Sequence, residues 1–154
     1  MPAVAVHAAP LLSAWIKANV ARPFLIGPDS ESVQWVSEVA RDAGAPFITL
    51  NKTRHADRDV EIAAIDFSAI GARTPVLVDD IISSGRTMLA ALKLLRGQVS
   101  AQPICLGVHG IFADGSDKLL ADAGAGVVTT NTIPHATNRI DVTSALADAV
   151  RGMT

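Results

Sequence analysis

The sequence predicts an α/β fold in three layers, a mostly parallel sheet flanked by helices. Three observations predict it. Short apolar runs alternate along the chain with longer stretches of helical period, an order that calls for crossover connections and a parallel sheet. The runs are continuously apolar, as strands covered on both faces are. Polar and charged residues gather just after the runs, where open α/β sheets hold their ligands. The 154 residues fit one domain over 1–154. A chain of that size buries enough surface to hold a core without disulfides or metals.

The elements follow in order. A helix is expected over 10–19, with Leu11, Leu12, Trp15 and Ile16 on one side. A strand over 23–26 ends at Gly27 and Pro28. The second helix spans 30–43, with Val33, Val36, Val39 and Ala40 at helical spacing, Ser30 or Ser32 as its cap and Gly44 as its stop. Strands are expected over 46–50, 60–65, 76–78, 104–108 and 127–130, with a charged loop over 51–61. Helices are expected over 87–96, 116–123 and 144–151. Trp15 and Trp35 fit helix faces packed on the core, and no internal repeat or linker interrupts the pattern.

Composition excludes several classes. Thirteen basic residues against 15 acidic ones give a net charge of −2, unlike a basic nucleic-acid binder. Aromatics are 4% with no Tyr, too few for stacking on single strands. Hydrophobic content of 49% excludes a disordered chain. The single cysteine, Cys105, excludes an internal disulfide and a cysteine-rich zinc site, and its place inside a strand reads as a small core residue. No apolar run reaches the ~20 residues of a membrane span. Residues 1–9 carry no signal-peptide pattern, so a cytoplasmic, reducing location is expected.

One segment concentrates the chemistry. After the strand ending at Val78 come Asp79, Asp80, Ile81, Ile82, Ser83, Ser84, Gly85, Arg86 and Thr87, and a helix opens at once. Backbone N–H groups in such a turn, with the positive end of the helix dipole, form an anion site. The hydroxyls of Ser83, Ser84 and Thr87 add hydrogen bonds, and Gly85 permits close backbone approach. Two adjacent carboxylates can accept from vicinal sugar hydroxyls or hold magnesium through water. Either piece alone reads as solvated surface or a helix cap. The whole string after an apolar strand describes a pocket for a sugar phosphate.

Four further segments sit at strand ends. Gly27-Pro28-Asp29-Ser30-Glu31-Ser32 can hold a diphosphate and its metal at a helix start. In the charged loop, Lys52, Arg54 and Arg58 can clamp a polyphosphate or simply face solvent. His109-Gly110-Ile111-Phe112 and Thr129-Thr130-Asn131-Thr132-Ile133-Pro134 are placed at the same sheet edge. His109 reads as a polar strand-end residue, His55 and His135 as exposed loop residues, and His7 as uninformative.

The string from Asp79 to Thr87 resembles the phosphoribosyl pyrophosphate motif of the type I phosphoribosyltransferase fold. Many members have an acid where Ser83 stands and a glycine where Arg86 stands, so Ser83 offers no carboxylate base and Arg86 adds a phosphate contact or faces solvent. In order, Gly-Pro-Asp-Ser-Glu-Ser, Lys-Thr-Arg, the Asp79–Thr87 string, His-Gly-Ile-Phe and Thr-Asn-Thr-Ile-Pro resemble ribose-phosphate diphosphokinase, also called phosphoribosyl pyrophosphate synthetase. Residues 8–16 look like the segment leading into that family's second domain.

The resemblance implies transfer of diphosphate from ATP to ribose 5-phosphate, giving phosphoribosyl pyrophosphate and AMP. It implies magnesium as cofactor, with Asp29 at a metal-linked position. Lys52 and Arg54 match the Lys-x-Arg pair of a catalytic loop. Asp79, Asp80, Ser83, Ser84, Gly85, Arg86 and Thr87 would hold ribose 5-phosphate. Family members have two similar domains and assemble into multimers. The chain is therefore expected to be the second half of a two-domain synthetase, a homo-oligomer, and inactive alone. A small purine or pyrimidine phosphoribosyltransferase and a non-catalytic, synthetase-associated regulatory subunit are the alternatives.

Overall fold

A computed structural model describes residues 3–29, 32–50, 52–55, 59–62 and 67–153. Its main sheet has six parallel strands: β1 (Pro23–Gly27), β2 (Phe47–Thr49), β5 (Thr74–Ile82), β6 (Ile104–Gly110), β7 (Gly126–Thr130) and β8 (Asn138–Ile140). Their order is β2-β1-β5-β6-β7-β8. Helices α1 (Ala9–Asn19) and α2 (Val33–Ala43) pack on one face. There Leu12, Ile16, Val36 and Val39 meet Leu25, Val76, Val78 and Leu106 of the strands. On the other face α3 (Arg86–Leu95) and α4 (Ser116–Asp122) bring Met88, Leu92, Leu95 and Leu120 against Phe24, Ile26, Leu77 and Cys105. Both faces of the sheet are thus dry, as the uninterrupted apolar runs require.

Local signals set the ends of several elements. Gly44 takes the left-handed conformation after α2, and its N–H donates to the carbonyls of Ala40 and Arg41. Pro10 stands in the first turn of α1, where a missing N–H costs nothing. α5 (Thr143–Arg151) buries none of its own residues, although Val142 just before it is buried. Asp141 Oδ1 accepts the Thr143 N–H and the Asn131 amide, each at 2.8 Å; the Thr143 side chain first of all, then these two bonds, holds its carboxyl below the usual range.

The structure corrects the expected elements at four places. The 60–65 strand is not in the main sheet: β4 (Asp59–Ile62) pairs antiparallel with β3 (Lys52–His55), and residues 63–66 lie outside the described residues. The charged stretch over 51–61 is therefore largely a two-stranded ribbon, and His55 is a strand residue. Lys-Thr-Arg-His contains no apolar residue and Asp-Val-Glu-Ile alternates polar with apolar, patterns that do not suit a covered parallel strand. β5 runs on through Asp79 and Asp80 to Ile82, because β6 continues to pair with it. β8 has no apolar run to announce it; Asn138 and Ile140 join the edge by pairing with Thr129 and Thr130. Finally, Ser32 precedes α2 but donates its hydroxyl back to the Asp29 carbonyl at 2.7 Å, so it does not cap the helix; Ser30 lies outside the described residues.

Candidate functional site

β1 and β5 are neighbours, yet the strands that follow them lie on opposite sides: β2 beyond β1, β6 beyond β5. Where connections diverge in this way, a crevice opens at the carboxyl ends of the two strands. The β1–β5 pairing stops at Ile26 and Leu77, whereas β5 stays paired with β6 as far as Ile82 and Gly110. The last part of β5 therefore forms one wall of the crevice. Asp79 and Asp80 stand there, and the chain leaving β1 carries Pro28 and Asp29 to the opposite wall.

Asp79 is half-buried and Asp80 exposed. Each carboxylate accepts the N–H of the next residue: Asp80 N donates to Asp79 Oδ1 at 2.9 Å, and Ile81 N to Asp80 Oδ1 at 2.8 Å. Burial pushes the Asp79 carboxyl up to about 7, helped by a side-chain hydrogen bond with Asp80 and by the negative charges of Asp80 and Asp29. Three acids facing one crevice form an electrostatic deficit that a cation or a hydroxyl donor relieves.

Beyond β5, Ser83, Ser84 and Gly85 turn the chain into α3. Gly85 sits at φ 65°, a conformation that disfavours any residue with a Cβ. The first N–H groups of a helix have no partner within it, and the dipole adds positive potential there. Ser83, Ser84, Gly85, Arg86 and Thr87 all line one hollow of about 190 Å³, with Asp79 at its rim. The predicted anion turn is thus a single concave surface. A second hollow, about 460 Å³, lies between Asp29 and Ser32 on one side and Asp79 and Asp80 on the other. The two hollows share Asp79.

Asp29 is held in place locally: its Oδ1 accepts the Ser32 N–H at 3.0 Å while the Ser32 hydroxyl donates to the Asp29 carbonyl. Gly27 lets this turn close, since a Cβ there would lie 2.9 Å from Ser32 Oγ and from Thr49 Cγ2. The donors fit magnesium. Asp29, Asp79 and Asp80 are hard oxygen ligands around one hollow, and magnesium binds through one or two carboxylates plus water and phosphate oxygens. Among the described residues no group of three or more acidic, histidine or cysteine side chains is close enough to hold a metal by itself, so water and phosphate oxygens would have to complete the set.

The other candidates divide. The backbone of Lys52 and Arg54 stands in β3, and their side chains fall outside the described part of the molecule. Cys105 is fully buried, as expected for a core residue, and burial pushes its thiol up to about 12. His109 lies within β6, with Nδ1 at 2.8 Å from Thr132 Oγ1; Thr130 and Thr132 hydroxyls both donate to the Val108 carbonyl. The 129–134 segment therefore ties β6 to β7 and meets His109 at one edge, as expected. His135 is not the exposed residue expected: it is partly covered, its ring lies tilted against that of Phe112 with centroids 4.5 Å apart, and it hydrogen bonds with Thr137. Trp35 does more than pack on the core; it also walls the second hollow, as does Ser32. Its position in the first turn of α2, after Gly-Pro-Asp, was the signal for that.

Comparison with known proteins sets this geometry in a class. A family model described as the phosphoribosyl transferase domain matches residues 2–145, and the chain belongs to that family. Within it, the chain is similar to ribose-phosphate pyrophosphokinases. That of Sulfurisphaera tokodaii is 29% identical over 143 residues, covering 90% of this chain and 49% of the relative. That of Halobacterium salinarum is 33% identical over 153 residues, covering 97% and 53%. The chain spans about half the length of the curated relatives it matches. The crystal structure of phosphoribosylpyrophosphate synthetase from Mycobacterium smegmatis superposes with a TM-score of 0.76 at 26% identity, over 95% of this chain and 50% of that one. Orotate phosphoribosyltransferase from Aeropyrum pernix, at 18% identity and a TM-score of 0.57 over 96% of this chain and 75% of that one, shares the fold. A stand-alone base phosphoribosyltransferase is not the reading these relatives favour.

Proposed function

We propose that the chain is the ribose 5-phosphate-binding unit of a ribose-phosphate pyrophosphokinase. The reaction transfers diphosphate from ATP to ribose 5-phosphate and yields phosphoribosyl pyrophosphate and AMP. The observation that carries this reading is the pair of hollows meeting at Asp79, one lined by an amide-rich turn and the other by carboxylates. A phosphorylated pentose has the same polarity, an anion at one end and vicinal hydroxyls further along. The curated relatives named for this activity support it.

In this reading the 5-phosphate takes the N–H groups and hydroxyls of the Ser83–Thr87 turn, with Arg86 at its edge. Asp79 and Asp80 accept from the ribose hydroxyls, which lowers the cost of ionising Asp79. The anomeric oxygen then faces the second hollow. A bond forms from it to the β-phosphorus of ATP, the hydroxyl proton passes to solvent, the bond from the β-phosphorus to the α–β bridging oxygen breaks, and AMP leaves with that oxygen. Magnesium, when bound, neutralises phosphate charge and polarises the transferred group. Asp29, Asp79 and Asp80 would hold it. The described lining of the second hollow is acidic, with Asp29, Asp79 and Asp80, and a cation would offset its repulsion of a polyphosphate. Lys52 and Arg54 would stabilise charge on the transferring group. Ser83, where many members of this fold family carry an acid, leaves the sugar to Asp79 and Asp80.

Much of the ATP site is assigned to a second domain of like fold, in a homo-oligomeric, cytoplasmic enzyme. The chain alone would then bind ribose 5-phosphate and make product poorly. Calorimetric titration with ribose 5-phosphate, with an ATP-dependent AMP-release assay beside it, tests this. Binding with little turnover is expected, and no nucleotide should form from phosphoribosyl pyrophosphate and a panel of bases. Absence of sugar-phosphate binding overturns the reading. Robust turnover would overturn only the need for a second domain. Co-purification with a longer active chain whose activity ignores Lys52→Ala would favour a regulatory subunit.

A further inference from the structure

We infer that Ser116, outside both hollows, is the residue that holds the anion turn in its binding geometry; this rests on the function proposed above. Ser116 is the first residue of α4 and is fully buried. A buried hydroxyl must find a partner, and this one donates to the carbonyl of Ser83, the first residue of the turn. The contact crosses 33 positions of sequence and belongs to no regular element. It also fixes the far side of the turn: a Cβ at Gly85 would lie 3.2 Å from Ser116 Cβ, so glycine backbone packs directly on this side chain.

Ser116 does not act alone. The N–H groups of Ile111 and Phe112 both donate to the Ile82 carbonyl at 3.0 Å. Two consecutive carbonyls where β5 ends, those of Ile82 and Ser83, are thus tied down, the first by the loop that follows β6 and the second by the first residue of α4. That loop keeps Phe112 and Asp114 at φ 51° and 56°, uncommon for residues with a side chain. Its shape serves to return the chain so that Ser116 reaches Ser83. A peptide plane has its carbonyl on one side and its N–H on the other. Holding the Ser83 carbonyl inward therefore orients the Ser84 N–H away from Ser116. Removing the hydroxyl frees that plane while leaving both hollows chemically intact.

The test is Ser116→Ala, read in two ways. Amide exchange without ligand should accelerate at Ile111 and Phe112, whose N–H groups donate to the Ile82 carbonyl, and at Leu89, whose N–H donates to the Gly85 carbonyl, and stay unchanged in β6 and β7. Ribose 5-phosphate affinity, measured by calorimetry well below the melting temperature, should fall about five- to tenfold, the size of one lost hydrogen bond. Ser116→Thr keeps the hydroxyl and should recover most of that affinity, which a purely structural role would not require. If the alanine variant fails to fold, Ser116→Cys retains the volume with a much weaker donor and carries the same expected loss. A folded variant lacking the hydroxyl that binds ribose 5-phosphate as the wild type does overturns the inference. Wild-type chain that does not bind the sugar phosphate overturns the functional reading instead, while the exchange measurement still reports on Ser116.

Discussion

Asp79 is placed where its charge is costly and its oxygens useful. Its carboxyl sits at about 7 in the folded chain against an ordinary 3.8, burial being the first cause. Between those values the folded chain keeps a proton that the unfolded chain has released. Stability is therefore greatest below the lower value, falls as pH rises through the window, and levels off above about 7. Asp79→Asn removes this slope. Melting curves from pH 5 to 8 should show the variant gaining on the wild type as pH rises; parallel profiles would contradict the assignment. The same side chain is needed for binding. Asp79→Asn together with Asp80→Asn should keep the fold and weaken ribose 5-phosphate binding by about 1.5–3 kcal/mol for each charged hydrogen bond lost. Stability gained and affinity lost at one residue is the signature of a site that stores repulsion for its ligand. Calorimetry showing equal affinity would move the sugar elsewhere.

At the scale of elements, the anion site depends on how β5 gives way to α3. Gly85 is the pivot, with a left-handed φ and Ser116 against its α-carbon. Gly85→Ala should cost about 1–2 kcal/mol from the backbone alone, with further crowding against Ser116. It should also lower affinity for inorganic phosphate, read by competition with ribose 5-phosphate. A stable variant with unchanged phosphate binding would show that the turn is not held as described. This junction was legible in the sequence because its signals are local: an apolar run, then acids, hydroxyls and glycine within nine residues. The β3–β4 ribbon and β8 were not. β8 is only three residues long and pairs at two of them, across an irregular point after Thr129, and no run of that length carries a period. The ribbon's charges dominate its composition and conceal the alternation beneath. Trp35 was missed although its place in the first turn of α2 was a local signal. Ser116 was missed for another reason: it matters through a partner 33 positions away, which no window of neighbouring residues contains.

At the scale of the molecule, one sheet separates two apolar cores, and Cys105 and Leu106 mark them. They are consecutive in β6 and both fully buried, yet Cys105 belongs to the α3 side and Leu106 to the α1 and α2 side. The thiol is shielded and pushed up to about 12, so it should resist thiol reagents until the core opens. Two modes of opening are distinguishable. If the layers part separately, loosening the Leu106 side leaves Cys105 protected. If the sheet couples them into one cooperative unit, any loss on one face reaches the other through the shared strands. The dense parallel pairing of β1, β5, β6 and β7 argues for the second. Leu106→Ala should destabilise the fold by about 2–5 kcal/mol. Under conditions where reclosing outpaces labelling, Cys105 modification should then accelerate about thirtyfold or more. An unchanged labelling rate in a variant of lowered melting temperature would mean that the face carrying the anion turn opens independently of the face carrying Trp35. The two hollows that meet at Asp79 would then not be held in register by one cooperative fold.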